Sequence, residues 1–108
     1  MRILIASKTF TITQALRAFA IEQASKLQKL HQRIGKVQIS LDHKVAGSKR
    51  DQNAIIKYVV SLPGKTIVVR TMASDMYEGI VDATNAAMRQ VRKMKEKQIQ
   101  FSRKSLSH

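Results

Sequence analysis

The chain has no cysteine and no tryptophan among its 108 residues, a single proline and four glycines. Without cysteine there is no disulfide framework, no thiolate metal site and no cysteine nucleophile. Acidic residues are scarce as well, seven against twenty Lys and Arg, so the formal net charge is +13. Charge of that size is costly in self-repulsion unless a polyanion accompanies the protein, which makes nucleic acid the leading partner class. Long apolar runs are also missing. One Arg and then only Ile3 to Ala6 open the chain, short of the roughly 7 to 15 apolar residues of a signal peptide. Lys57 interrupts the best remaining run, Ile55 to Val60, far below the ~20 residues of a membrane span. The expectation is a soluble cytoplasmic protein with no membrane partner.

What is present suits one domain with one modest core, because domains cluster at roughly 100 to 150 residues. Apolar residues make up 44% of the chain and only five residues are aromatic, so Ile, Leu, Val and Ala must build that core. Cationic charge is spread along the chain and densest near its end: residues 1–34 and 35–70 each carry a net +5, 71–84 carry −3, and 85–108 carry +6.

Arg2 to Ala6 reads as a short β-strand, ended by the polar stretch Ser7 to Thr9. Thr13 is an N-cap residue, and Leu16, Phe19, Ala20, Leu27, Leu30 and Ile34 then recur at helical spacing, with Gly35 where a helix C-cap belongs. The period changes to two at once: Val37, Ile39, Leu41, His43 and Val45 alternate with polar residues, which predicts a half-buried strand. Ala46 to Asp51 is a polar hairpin loop and Asn53 to Leu62 the next strand. Pro63-Gly64 supplies a tight turn, Pro fixing φ at its second position and Gly permitting positive φ at its third, and Lys65 to Ala73 forms a fourth strand. Asp75 with Glu78 is a capping-box pattern opening a second helix, with Tyr77, Ile80, Val81, Thr84, Met88 and Val91 on its apolar face. That helix runs at least to Met94, after which Lys95 falls on the apolar face. The domain is placed at residues 1–99, with 100–108 as a basic, disordered tail. The fold class is therefore α+β: a β-α-β-β-β-α order, an antiparallel-rich four-stranded sheet and two helices packed on one face. An α-β-β-β-α order also occurs in double-stranded-RNA-binding domains, which read RNA by shape and backbone contacts.

Cations dominate the candidate functional residues. Arg89, Lys93 and Lys97 lie at i, i+4 and i+8 on one exposed stripe, with Arg92 toward the core boundary. A helix end needs only one or two cations to complement its dipole, so this density points to phosphate binding. Lys26, Lys29 and Arg33 occupy one flank of the first helix, where Glu22 is placed to pair with Lys26. If the two helices lie side by side, the flanks form one basic surface.

Other constellations have simpler explanations. Asp75, Glu78 and Asp82 sit in the first turns of a helix, where the macrodipole favours acids, so general acid/base work is not assigned to them. His31, His43 and His108 lack metal-ligand spacing, and Gly35, Gly47, Gly64 and Gly79 do not form a phosphate-cradling loop. Tyr77 reads as a packed residue of the second helix, and Met72, Met76, Met88 and Met94 as gap-filling core or boundary residues. No catalytic residue, metal or cofactor is expected.

Several of these stretches resemble a known family. Ser7-Lys8, Ile12-Thr13 followed by Ala15-Leu16-Arg17, Ser25-Lys26-Leu27 and Arg33-Ile34 are similar to the opening of bacterial ribosome hibernation-promoting factors and ribosome-associated inhibitor proteins. Leu62-Pro63-Gly64-Lys65, Asp75-Met76-Tyr77 with Ile80, Arg89-Gln90 and Lys93 resemble its second half, the Asp-Met-Tyr start with Arg-Gln at this offset being the most specific part. The resemblance covers residues 1–97. It implies a domain that binds small-subunit rRNA where mRNA and tRNA pass, silencing idle ribosomes under stress such as stationary phase. The family's basic positions carry over at Lys8, Arg17, Lys26, Arg89, Lys93 and Lys97, with Lys29 present as in some members. Ala86 stands where the family usually has Lys, while Arg92, Lys95, Arg103 and Lys104 add charge nearby. Long members add a C-terminal domain that pairs two ribosomes; this chain resembles the short class.

The expected partners are thus small-subunit rRNA and the whole ribosome, with no small-molecule substrate and a monomer off the ribosome. A general RNA-binding or RNA-chaperone module, an RNA-cleaving enzyme and a regulator acting through acidic protein partners are the rival readings.

Overall fold

Alternating apolar and polar residues become four strands, and the two helical periodicities cover one side of them. The computed structural model describes residues 1–44 and 53–106, with side chains described up to Lys97 in the last helix. In chain order the elements are β1 (Arg2–Ala6), α1 (Gln14–Leu30), β2 (Lys36–His43), β3 (Ala54–Leu62), β4 (Lys65–Ala73) and α2 (Met76–Leu106). The order is the expected β-α-β-β-β-α. Strands are arranged β1-β2-β3-β4, with β1 parallel to β2 and the remaining pairs antiparallel, so the sheet is mixed.

Because β1, β2 and β4 point the same way, α1 and α2 both return across the sheet in the same direction and lie side by side. Val37, Ile39 and Leu41 of β2, Ile56, Tyr58 and Val60 of β3, and Ile67 of β4 face the helices and are buried. Leu16, Ala20, Ala24 and Leu27 of α1 meet them, as do Met76, Ile80, Ala83, Ala87, Val91 and Met94 of α2. The β3-β4 turn has Gly64 at φ +74°, the left-handed conformation that Pro63-Gly64 predicts.

Both helix starts are capped as read. Leu16 N donates to Thr13 Oγ1 at 3.1 Å, and Glu78 N donates to Asp75 Oδ2 at 3.2 Å. The end of α1 differs from expectation. The helix stops at Leu30, and His31 is extended at φ −148°, ψ 113°. Arg33 N donates to His31 Nδ1 at 3.1 Å, a local side-chain bond that competes with helix continuation. Ile34 is still buried, but from the connection, and Gly35 extends the ladder of the central strand β2 on both sides: its N–H donates to Ser61 O and its carbonyl accepts from Arg2 N, both at 3.0 Å.

The apolar face of α2 is rotated relative to the sequence reading. Tyr77 is 40% exposed, and Val81 and Met88 are half-buried. Small residues govern the contact with the sheet. A Cβ at Gly79 would collide with Ile56 Cδ1 and meet Ala73 Cβ at 3.3 Å, so α2 lies close against β3 and β4 there. Ala83 and Ala87 continue this close approach, which turns the larger side chains toward α1. Helix α2 runs from Met76 through Leu106. Val45, the 46–51 loop and His108 lie outside the described residues.

Candidate nucleic-acid interface

Two contacts define the seam between the helices. Phe19 of α1 meets Tyr77 of α2 edge-on at a ring-centroid distance of 5.0 Å. Further along, Lys95 Nζ donates to the Leu30 carbonyl oxygen at 3.0 Å. Lys95 therefore serves the C-terminus of α1, where its charge suits both the open carbonyl and the helix dipole. The sequence reading had counted it as added charge on a projecting helix.

These contacts orient the other residues by helical spacing. Lys26 lies seven residues after Phe19 and four before Leu30, so it borders the seam on α1. Its ammonium donates to Gln23 Oε1 at 3.2 Å, where spacing had suggested Glu22 as the partner. On α2, Met88 and Arg92 lie seven and three residues before Lys95 and border the seam from the other side. Asp82, Asn85, Met88, Arg89 and Arg92 line one open depression on this flank. Lys29 lies one turn beyond Lys26, and Lys93 one turn beyond Arg89. Lys26, Lys29, Arg33, Arg89, Arg92, Lys93 and Lys97 are all exposed. Lys97 sits past Met94, the last buried position among the described side chains of α2.

The structure does not bring Lys8 and Arg17 into this group, although both are exposed. Arg17 lies on the flank of α1 turned away from α2, together with exposed Ile21. Lys8 sits in the β1-α1 loop, separated from Arg33 by the 17-residue length of α1, roughly 26 Å at 1.5 Å per residue. Asp42 on β2 organises that loop. Its Oδ1 accepts from Lys8 N at 2.7 Å, Ser7 Oγ at 3.2 Å and Thr9 Oγ1 at 3.3 Å, while Thr9 Oγ1 accepts from His43 N at 3.0 Å. Ser7 Oγ in turn accepts from Thr9 N and Phe10 N. Sequence reading missed Asp42 because it fell on the polar face of a strand. The signal that could have marked it is a lone acid opposite a Ser-Lys-Thr turn that needs acceptors.

Under the seam, one buried polar pair joins helix to sheet. Thr84 Oγ1 donates to the Ile80 carbonyl at 2.7 Å, so at 2.6 Å it must accept from the Tyr58 hydroxyl. Burial pushes the Tyr58 phenol up from 10 to about 12. These groups are satisfied and inward, so they belong to the scaffold. Among the described residues no three His, Asp or Glu side chains are placed to hold a metal, and no helix is long and apolar enough to cross a membrane.

A two-ended basic helix pair on a β-α-β-β-β-α scaffold coincides with a match to the family model described as sigma 54 modulation protein / S30EA ribosomal protein, over residues 3–99. The chain belongs to that family. Its match extends across every described element except the last turns of α2. A ribosome hibernation promoting factor of Acinetobacter guillouiae is 27% identical over 105 residues, spanning 94% of this chain and 93% of that protein. Among solved structures, a ribosomal subunit interface protein from Coxiella burnetii superposes with a TM-score of 0.76 at 23% identity, covering 89% of this chain and 99% of that one. The N-terminal domain of Protein Y from Thermus thermophilus gives 0.66 at 24% identity, covering 87% and 99%. The S30EA family thus includes ribosome-associated hibernation factors, as the resemblance implied, and the superpositions bear out the fold.

Proposed function

We propose that this chain is a ribosome hibernation factor that binds small-subunit rRNA through the paired helices and blocks the path of mRNA and tRNA under stress, working in the cytoplasm as a monomer off the ribosome. One observation carries this reading. Lys26, Lys29 and Arg33 stand at the same end of the helix pair as Arg89, Arg92 and Lys93, all exposed, with Lys26 and Arg92 bordering the seam between the helices. Cations grouped this way repel one another, and phosphate groups spaced along an RNA backbone relieve that repulsion. Lys97 extends the row along α2, and Lys8 and Arg17 form a second contact at the far end, so one molecule reaches two RNA elements. Its activity is occlusion, with no bond made or broken.

Sedimentation with purified ribosomes through sucrose gradients tests the reading. Co-migration with small subunits and whole ribosomes, lost at high salt and resistant to competition by unrelated structured RNA, is the expected result. If ~6 phosphates are contacted, the log-log salt slope should be about −4 to −5. Replacing Arg89 and Lys93 by Glu should release the protein and relieve inhibition of cell-free translation; unchanged occupancy would overturn the assignment. A protein that stays at the top of the gradient at low salt would point instead to a general RNA-binding module.

A further inference from the structure

Both helices lie on one side of the sheet, and among the described residues no element covers the opposite side. Side chains on that open side form rows across the strands, fixed by the register. Leu4, Gln38, Val59 and Val68 make one row through all four strands. Leu4 is 39% and Val68 59% exposed, so aliphatic surface at both ends of the row meets solvent. Two residues away on one side, Arg2 stands directly opposite Lys36, and two residues away on the other side Lys57 stands directly opposite Arg70. Like charges placed directly across a ladder are destabilising. The open face therefore bears two cation pairs at diagonal corners, and between them a row that is aliphatic at Leu4, Val59 and Val68 and interrupted by exposed Gln38, an arrangement that costs stability in the free protein.

Its dimensions and chemistry specify what relieves that cost. The row from Leu4 to Val68 spans three strand spacings, roughly 14 Å, and each cation pair lies about 6 to 7 Å from it along the strands. A single helical or extended segment has this width. Among the described residues the open face has no aromatic side chain on which a base could stack, since Tyr58 points inward. RNA would leave the aliphatic row uncovered, whereas an apolar stripe would bury it. A second copy of the chain would bring like charges together at a net +13. We infer that the open sheet face docks an acidic amphipathic protein segment, with apolar side chains along the Leu4–Val59–Val68 row and carboxylates flanking it against Arg2/Lys36 and Lys57/Arg70. The inference goes beyond the ribosomal reading and uses none of the helix cations.

Amide-shift mapping on the full chain tests it, with a labelled peptide carrying Leu at helical i, i+3, i+4 and i+7 positions and Glu on both flanks as the probe. Shifts should concentrate on β1, β3 and β4 positions of the open face. Lys57→Glu with Arg70→Glu should weaken binding about tenfold or more, and Val68→Thr several-fold, with gradient co-sedimentation with ribosomes unchanged. Equal binding of a scrambled peptide of the same composition would overturn the proposal. An RNA hairpin that shifts these amides while the peptide does not, or a concentration-dependent dimer through this face, would overturn it as well.

Discussion

Tyr58 and Thr84 are the residues whose chemistry is most constrained by their surroundings. Thr84 has spent its proton on Ile80 O and offers Tyr58 an acceptor. Thr84→Val removes that acceptor and leaves a buried phenol unpaired, which should cost about 1 to 3 kcal/mol in urea unfolding. Tyr58→Phe leaves Thr84 bonded to Ile80 and should cost less, about 0.5 to 1.5 kcal/mol. The pH dependence has a definite sign. Folding holds the phenol neutral by raising it from 10 to about 12, so its contribution is whole below pH 10 and is lost as pH climbs through about 12. The unfolded chain releases that proton first. Over this window the native protein should lose roughly 2 to 3 kcal/mol more than the Tyr58→Phe variant does, as read from unfolding midpoints at several pH values.

At the scale of elements, close approach and capping decide the geometry. Gly79 lets α2 sit on Ile56 and Ala73, so Gly79→Val should destabilise by about 1 to 3 kcal/mol through overpacking despite removing a helical glycine. A thermal melt would read this, and an unchanged midpoint would mean that α2 does not lie so near the sheet. Lys95 is a different case. Its bond to Leu30 O is exposed, so Lys95→Met should cost only about 0.3 to 1 kcal/mol, the range for a cation at a helix C-terminus. The more telling readout is hydrogen exchange, which should accelerate in the last turn of α1 and leave the β3-β4 amides as they are.

These elements also show how far local reading extends. β1, β4 and both helix starts were legible to the residue, because the polar stretch Ser7 to Thr9, the Pro63-Gly64 turn, Thr13 and Asp75 act within a few residues. The end of α1 was not legible. Ile34 continues the helical spacing and Gly35 resembles a cap, yet His31 draws Arg33 N into a local bond and the chain leaves the helix after Leu30. The face of α2 was misread by a fraction of a turn, since counting large apolar residues favoured Tyr77 and Met88 over Gly79, Ala83 and Ala87. Contact distance between helix and sheet settles such a choice, and one strand of sequence does not contain it.

For the whole molecule, the distribution of charge governs behaviour. A protein of net +13 should bind rRNA with a salt slope that falls by about 2 when Arg89 and Lys93 become Glu. Arg17→Glu tests the far end alone. On the two-ended arrangement it should weaken ribosome binding and lower the slope by about 1, while leaving the seam cations engaged. Filter binding across a salt series would distinguish the two, and an Arg17→Glu variant with wild-type slope would confine the interface to the seam.

Composition and periodicity alone determined that these residues fold as α+β, that the chain is strongly basic and without cysteine chemistry, and that its cationic charge is densest near its end. Each of those properties is local or additive along the chain. Tertiary structure decided which cations stand together: it set Lys26, Lys29, Arg33, Arg89, Arg92 and Lys93 at one end, separated Lys8 and Arg17 from them, and turned Lys95 to the Leu30 carbonyl. It also placed Arg2 against Lys36 and Lys57 against Arg70 on the open face. Neighbourhood across a sheet or between helices depends on register, strand direction and packing distance, and those arise only when distant segments meet.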